Sequence, residues 1–151
     1  MPSLGNKKVN GRKRQFLVDT GGRLWGVVVH AANIADGKGA LALLDKMEPV
    51  KERLEKCLGD TAYNGVFAQG ATQKRYLFEK AGRLDEGSST NQTENQGKKF
   101  VVAPKRWVVE RSFAWTIFFR RITKDYERTV ASAQAWLLLA NITIMLQRII
   151  T

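Results

Sequence analysis

The chain has 151 residues, of which 44% are hydrophobic and 26% charged, so it can form a folded core and is not a disordered protein. Lysine and arginine number 25 against 14 acidic residues, and the resulting net charge of +11 favours a polyanionic partner such as nucleic acid. Cys57 and His30 are the only cysteine and histidine, which excludes an internal disulfide and a zinc site built from these residue types. Any metal site must therefore use carboxylates.

The first predicted elements form a β-hairpin. Residues 12–18 and 23–32 are rich in β-branched and aromatic side chains, which is typical of strands. The Asp-Thr-Gly-Gly sequence at 19–22 separates them, and its two glycines can adopt the positive φ angles of a tight turn.

An α/β order follows the hairpin. We expect Asp36 to cap a helix over residues 38–47, which Pro49 ends and whose apolar stripe is Leu41, Leu44 and Met47. A strand is predicted over 53–59 and a helix over 61–74.

The second half continues with a short strand at 76–78, a flexible polar loop at 82–99 and a strand at 100–102. A helix over 105–119 and a last helix over 131–149 complete the chain. The whole reads as one α/β domain with a mixed sheet. Because polar residues interrupt the last helix, we expect it to be a core helix of a cytoplasmic protein rather than a membrane span.

Asp60 and Glu110 are the candidate metal ligands. Asp60 follows a predicted strand, where site residues of α/β sheets often lie, and Glu110 lies within a predicted helix. Two-metal phosphoryl transfer needs carboxylates from separate elements that meet at the ions. The alternatives are that Asp60 is a turn or cap residue and that Glu110 forms an ion pair with Arg106, four positions before it.

Basic residues concentrate in the first strand and around Glu110. A charge run is usually a solvated surface, but two such groups in a chain of this charge favour phosphate binding. We expect Arg106 and Arg111 to orient Glu110 or to contact phosphates. Contacts to a nucleic-acid backbone are expected from Arg12, Lys13, Arg14, Arg120, Arg121 and Lys124.

Four segments resemble the DDE transposases of bacterial insertion sequences, and most closely the insertion sequence five group. They are residues 11–20 (GRKRQFLVDT), 60–65 (DTAYNG), 105–115 (KRWVVERSFAW) and 119–128 (FRRITKDYER). They occur in the family's order over nearly the whole chain, and the third is the most specific of them.

The resemblance implies a ribonuclease H-like fold in which three carboxylates bind two divalent ions, Mg²⁺ or Mn²⁺. By motif, Asp60 matches the second carboxylate and Glu110 the third. The family's first aspartate lies on a strand just before the basic hairpin strand, and no counterpart occurs here, so residues 1–151 are expected to be a catalytic domain truncated at its N-terminus. Asp19 or Asp36 could replace the missing aspartate, although a turn and a cap are their more ordinary roles.

The predicted function is therefore metal-dependent cleavage and strand transfer at insertion-sequence ends, impaired by the loss of the first aspartate. Its partners would be double-stranded DNA at the transposon ends and target, with a possible homodimer or pairing with full-length transposase. The alternative is a non-enzymatic DNA-binding fragment, or one that inhibits intact transposase.

Overall fold

The computed structural model describes residues 11–81 and 106–150, with the backbone alone at Arg106. Its helices and small sheets give the α/β mixture that the sequence predicts. The elements in chain order are β1 (Arg12–Val18), β2 (Leu24–Ala31), α1 (Asp36–Gly39), α2 (Leu41–Lys46), a 3-10 helix (Glu48–Arg53), β3 (Cys57–Gly59), a 3-10 turn (Thr61–Tyr63), α3 (Val66–Gln73), β4 (Phe78–Lys80), α4 (Arg106–Ile117), α5 (Arg120–Thr123) and α6 (Val130–Ile150).

The predicted hairpin is confirmed. β1 and β2 pair antiparallel, and the register becomes irregular between Leu17 and Val18, just before the turn. In the turn, Gly22 has a φ of 80°, which a side chain would strain. An oxygen of Asp19 accepts hydrogen bonds from the backbone N–H groups of Gly21 at 2.9 Å and Arg23 at 3.0 Å. The turn role expected of Asp19 is thus also confirmed.

The single mixed sheet is replaced by two separate sheets. β3 and β4 pair in parallel as a second two-stranded sheet, and within residues 11–81 and 106–150 no strand joins them to the hairpin. Side chains connect the two sheets: Val28 of β2 shares a core with Cys57 of β3, and the Tyr63 hydroxyl donates to Oε1 of Gln15 on β1. The edge of β1 that faces away from β2 therefore has no strand partner within the described residues.

The hairpin has a hydrophobic core on each face, because successive side chains of a strand point to opposite sides. One core combines Val28 of β2 with residues of α2, α3, β3 and the segment before β4, namely Leu43, Leu44, Met47, Cys57, Phe67, Ala71 and Tyr76. The other combines Val27 and Val29 with residues of α5 and α6, namely Ile122, Ala133, Leu137 and Ala140. β1 and β2 thus form the middle layer of the domain.

The helix predicted over 38–47 is divided into α1 and α2 at Ala40. The expectation that Asp36 caps it is wrong, because Asp36 is the first residue of α1 and its N-cap is Ala35, which makes no side-chain cap bond. α1 lies so close to β2 that a Cβ on Gly39 would collide with the imidazole ring of His30. Asp36 is instead drawn to β1, where its carboxylate is 2.9 Å from Nζ of Lys13.

The predicted strand over 53–59 is wrong in its first half. Only Cys57–Gly59 is a strand, and the preceding Glu48–Arg53 forms a 3-10 helix. Pro49 does not end a helix but begins this one, since a proline ring suits the first positions of a helix, where no N–H donor is needed. The short strand predicted at 76–78 forms two residues later, at Phe78–Lys80.

The remaining predicted elements differ in their outcomes. The helix predicted over 61–74 is formed by the Thr61–Tyr63 turn and α3, and the helix over 105–119 is α4. The predicted loop at 82–99 and strand at 100–102 lie outside the described residues.

α6 forms where a helix was predicted, but it is not simply a core helix. Its buried residues, Ala133, Leu137, Ala140 and Asn141, lie on one face, and much of the rest is exposed. By length and composition α6 is long and apolar enough to cross a membrane. Its most apolar stretch of 18 residues has a mean hydropathy of 1.4, and 22% of that stretch is buried in the domain. The polar interruptions in its sequence lie beside the buried face, so they do not break the apolar character of the opposite one.

Candidate catalytic and DNA-binding residues

Asp60 lies directly after β3 and begins the Thr61–Tyr63 turn. Its carboxylate Oδ1 accepts a hydrogen bond from the backbone N–H of Ala62 at 2.9 Å, so the side chain is a cap as well as a strand-end residue. Asp60 itself is exposed. The pKa of Tyr63 is raised to about 12 by burial of the Tyr63 phenol and by the negative charges of Asp60 and Asp36. Both carboxylates therefore act electrostatically on the same phenol.

A polar cluster beside Tyr63 was not predicted. It consists of Gln15 and His30, both buried, together with Asp36. Nδ1 of His30 lies 2.9 Å from its neighbouring carbonyl at Ala31, so we assign the proton to Nδ1 and let Nε2 accept from the Gln15 amide at 3.2 Å. The same amide donates to Asp36 at 3.3 Å. The available signal was weak: His30 is a polar residue within the apolar strand β2, but Gln15 follows the basic residues that begin β1.

Glu110 is exposed on α4, which packs against β1. The rings of Phe113 and Phe16 stack with their centroids 4.0 Å apart, and the Ser112 hydroxyl donates to the Gly22 carbonyl at 2.7 Å. Phe16 follows Gln15 on the strand, so the element carrying Glu110 and the turn carrying Asp60 pack on opposite faces of β1.

This arrangement limits how a metal site could form. Because the Asp60 turn and α4 pack on opposite faces of β1, this strand separates the two elements that carry the candidate ligands. Within the described residues, no group of three or more histidine, cysteine, aspartate or glutamate side chains could hold a metal ion. The assignment of Asp60 and Glu110 as metal ligands stays a prediction.

Asp19 and Asp36, the two candidates to replace the first aspartate, both have partners within the domain. In Asp19, burial opposes ionisation, but hydrogen bonds from the backbone and side chain of Arg23 and from Trp25 outweigh it and lower the pKa of the carboxyl group. Asp36 is held by Lys13 and Gln15.

Arg111 has internal partners. Its guanidinium lies between the rings of Trp107 and Trp115, 4.4 Å and 4.6 Å from their centroids, and one of its NH₂ groups donates to the Gly21 carbonyl at 3.0 Å. Trp115 also carries Arg148 on its ring at 4.0 Å. The three α4 residues are four positions apart, so their shared face was readable from the sequence.

Arg12 and Lys13 are also tied to the domain. One guanidinium nitrogen of Arg12 contacts the Asp125 carboxylate at 3.3 Å and donates to the Glu127 carbonyl at 2.9 Å. Nζ of Lys13 donates to the Ile34 carbonyl at 3.0 Å besides pairing with Asp36. These side chains hold β1 to distant segments, which leaves their charges partly neutralised.

The remaining cations differ in their contacts. Arg121 pairs with Glu127 at 2.9 Å and stacks on Trp136 at 4.6 Å, while Arg14 lines a small cleft beside them. Arg120 and Lys124 are exposed. The side chain of Arg106 lies outside the described part of the chain, so its predicted interaction with Glu110 or DNA stays a prediction.

One of three comparisons with known proteins, the comparison with family models, assigns the chain to a family. Comparisons with curated proteins and with solved structures found no match. A family model described as the transposase DDE domain matches residues 2–146. Because this match spans nearly the whole chain, the chain belongs to the transposase DDE domain family.

Proposed function

We propose that this chain is the catalytic domain of a DNA transposase of the insertion sequence five type, acting on the phosphodiesters of insertion-sequence ends in the bacterial cytoplasm. The observation that carries the proposal is the family match over residues 2–146. The order of a hairpin, helices, a parallel strand pair and further helices supports a ribonuclease H-like fold.

Asp60 and Glu110 are the proposed ligands of Mg²⁺ or Mn²⁺. Their chemistry fits, because hard divalent cations prefer carboxylate oxygens and both residues are exposed to an incoming phosphate. When bound, such ions activate water, and then a DNA 3′-hydroxyl, for attack on a phosphodiester. The Ala62 N–H would hold the Asp60 carboxylate in place for this role.

The described residues supply only part of this ligand set. Asp19 and Asp36 each have other partners, so neither is offered as the first carboxylate. If Asp60 and Glu110, the two candidates among the described residues, are the only carboxylate ligands, the charge of a second ion is poorly balanced and cleavage is slow.

DNA binding is assigned first to Arg120 and Lys124, whose side chains are exposed. Each cation that neutralises a phosphate releases about one counterion, so removing it lowers the salt dependence of the binding constant. We expect Arg120→Gln and Lys124→Gln each to reduce the slope of log K against log salt by about 1. Lys38→Gln, at an exposed lysine of α1 with no assigned role, is the matched control and should leave the slope unchanged.

Nicking of a supercoiled plasmid tests the catalytic assignment. Wild type should convert plasmid to nicked circles in Mg²⁺ or Mn²⁺ and not in EDTA. Asp60→Asn and Glu110→Gln, which keep side-chain shape but lose charge, should abolish nicking while retaining DNA binding. Glu52→Gln removes an exposed carboxylate of the 3-10 helix and should change neither.

Two outcomes would contradict the proposal. If Asp60→Asn or Glu110→Gln nicks as wild type does, that residue is not a metal ligand. If wild type does not nick while salt-sensitive DNA binding persists, the enzyme proposal fails and the non-enzymatic DNA-binding alternative replaces it.

A further inference from the structure

The outward side of α6 is an apolar surface, which we call the outer apolar face. It consists of Ala131, Ala135, Leu138, Leu139, Ile142, Leu146 and Ile149. These side chains lie opposite the buried residues of the helix at 3.6 residues per turn. Several are large and widely exposed, with Ile142 at 47%, Leu146 at 52% and Ile149 at 80%.

No polar residue of α6 lies on this face. The polar side chains of the helix flank the opposite, buried side, and the only charged residue, Arg148, is folded onto Trp115. An apolar surface without a polar interruption is unfavourable in water, and such surfaces mark contacts with another molecule.

The spacing on this face is that of a helix pair. Ala135, Leu139, Ile142, Leu146 and Ile149 follow one another at alternating intervals of four and three residues. This is the repeat by which two helices interlock side chains over two heptads. Leu137 and its buried neighbours lie on the other side, so the repeat is not needed for the internal core.

We propose that the outer apolar face is a dimer interface that binds α6 of a second copy of this chain in antiparallel orientation. The face begins with its two small residues, Ala131 and Ala135, and carries large ones from Leu138 onward. Antiparallel pairing therefore sets Ala135 of one copy opposite Leu146 of the other and pairs Leu139 with Ile142. It also places the two Arg148 side chains at opposite ends and opposes the helix dipoles favourably.

The available area suffices for such a dimer. Residues 131–149 of a helix extend about 27 Å, and the outer half of a cylinder of that length has an area on the order of 500 Å². Two such faces together reach about 1,000 Å², which meets the approximate minimum for a biological interface and corresponds to a weak, reversible dimer. This inference does not depend on the proposed catalytic function.

A spanning orientation of α6 is disfavoured by its attachment to β2. The buried side chain of Asn141 accepts from the Leu24 N–H and donates to the Leu24 carbonyl, both at 3.2 Å. These bonds hold α6 on a folded domain with the apolar face outward.

Sedimentation velocity over a range of concentrations tests the proposal. Wild type should form a dimer reversibly, and Ile142→Lys or Leu146→Lys should raise the dissociation constant at least about a hundredfold, because each dimer would bury two unpaired ammonium groups. Leu77→Lys makes the same change at a side chain that is 63% exposed outside α6, and it should dimerise as wild type does. Far-UV circular dichroism confirms that each variant is folded.

Disulfide crosslinking tests the orientation. Cys57 is buried, so introduced cysteines can be followed separately. Ala135→Cys combined with Leu146→Cys should form covalent dimers, while Ala135→Cys alone should not, because two positions 135 lie about 16 Å apart along antiparallel helices. Efficient crosslinking by Ala135→Cys alone would refute the antiparallel orientation.

Two results would overturn the proposed interface. One is a wild-type chain that stays monomeric at all concentrations. The other is a monomer that binds vesicles of anionic phospholipid and loses this binding in Ile142→Lys, which would assign the face to a membrane surface.

Discussion

Substitution of Arg111 distinguishes two roles for a cation near the candidate site, which are to stabilise the fold or to bind DNA. In Arg111→Ala the chain loses a hydrogen bond to the Gly21 carbonyl and stacking on Trp107 and Trp115. A hydrogen bond from a charged donor contributes about 1.5–3 kcal/mol, and each cation–π contact at a surface about 0.5–1 kcal/mol. Nε of Arg111 is buried without a hydrogen-bond partner, and the alanine variant removes this unfavourable group. The net loss of stability therefore lies in the lower part of the combined range.

The three contributions together amount to about 2.5–5 kcal/mol, and we therefore expect Arg111→Ala to lower the free energy of unfolding by about 2.5–3.5 kcal/mol. Arg111→Lys should lower it by about 1–2 kcal/mol, because the ammonium keeps the charge but not the flat surface between the two tryptophans. Urea denaturation followed by far-UV circular dichroism measures both losses, and the melting temperature should fall by about 4–10 °C for the alanine variant.

Arg120→Ala is the matched control for Arg111. It removes an exposed arginine and should leave the unfolding free energy within about 0.5 kcal/mol while weakening DNA binding. If Arg111→Ala instead unfolds like wild type and weakens DNA binding as Arg120→Ala does, the structural role assigned to Arg111 is refuted.

Three further predictions concern the fold. Asn141→Ala should destabilise the protein by about 2–3 kcal/mol in urea denaturation, because it leaves the N–H and carbonyl of Leu24 without their partner, and an unchanged midpoint would contradict the attachment of α6 to β2. Cys57 should resist alkylation by iodoacetamide until urea unfolds the chain, because burial raises the pKa of its thiol to about 11, and rapid labelling of the folded protein would show that it is exposed. Hydrogen bonds from Arg23 and Trp25 lower the pKa of Asp19, and hydrogen bonds from Ser132 and Arg121 lower that of Glu127. The free energy of unfolding should therefore be constant above about pH 5 and fall as acid protonates the two carboxylates. Asp19→Asn and Glu127→Gln should each flatten this fall in an acid titration followed by circular dichroism, and unaltered profiles would contradict the assignment.

Local chemistry explains which elements the sequence predicts well. The hairpin depends on β-branched strands and on glycines in a tight turn, and these act over a few residues. The position of Asp60 after a short strand is local in the same sense, and the motif around Glu110 falls within one helix. These features are therefore predictable from the sequence alone.

Partners that are distant in the chain explain what the sequence did not predict. The basic run that contains Arg12 predicts a DNA contact, yet the Arg12 guanidinium contacts Asp125, which is 113 positions away. Asp36 was assigned to a helix cap because it precedes a helix, but Lys13 on β1 attracts its carboxylate. Neither pairing has a short-range signal.

The sequence by itself determined the hairpin, the helices α3, α4 and α6, the positive charge and the transposase motifs, because each depends on the type and spacing of neighbouring residues. Only the tertiary structure decided which cations are exposed, that two small sheets replace one, and that α6 keeps an apolar face outward. These properties depend on which distant surfaces are brought together, and burial is decided only when the chain is packed.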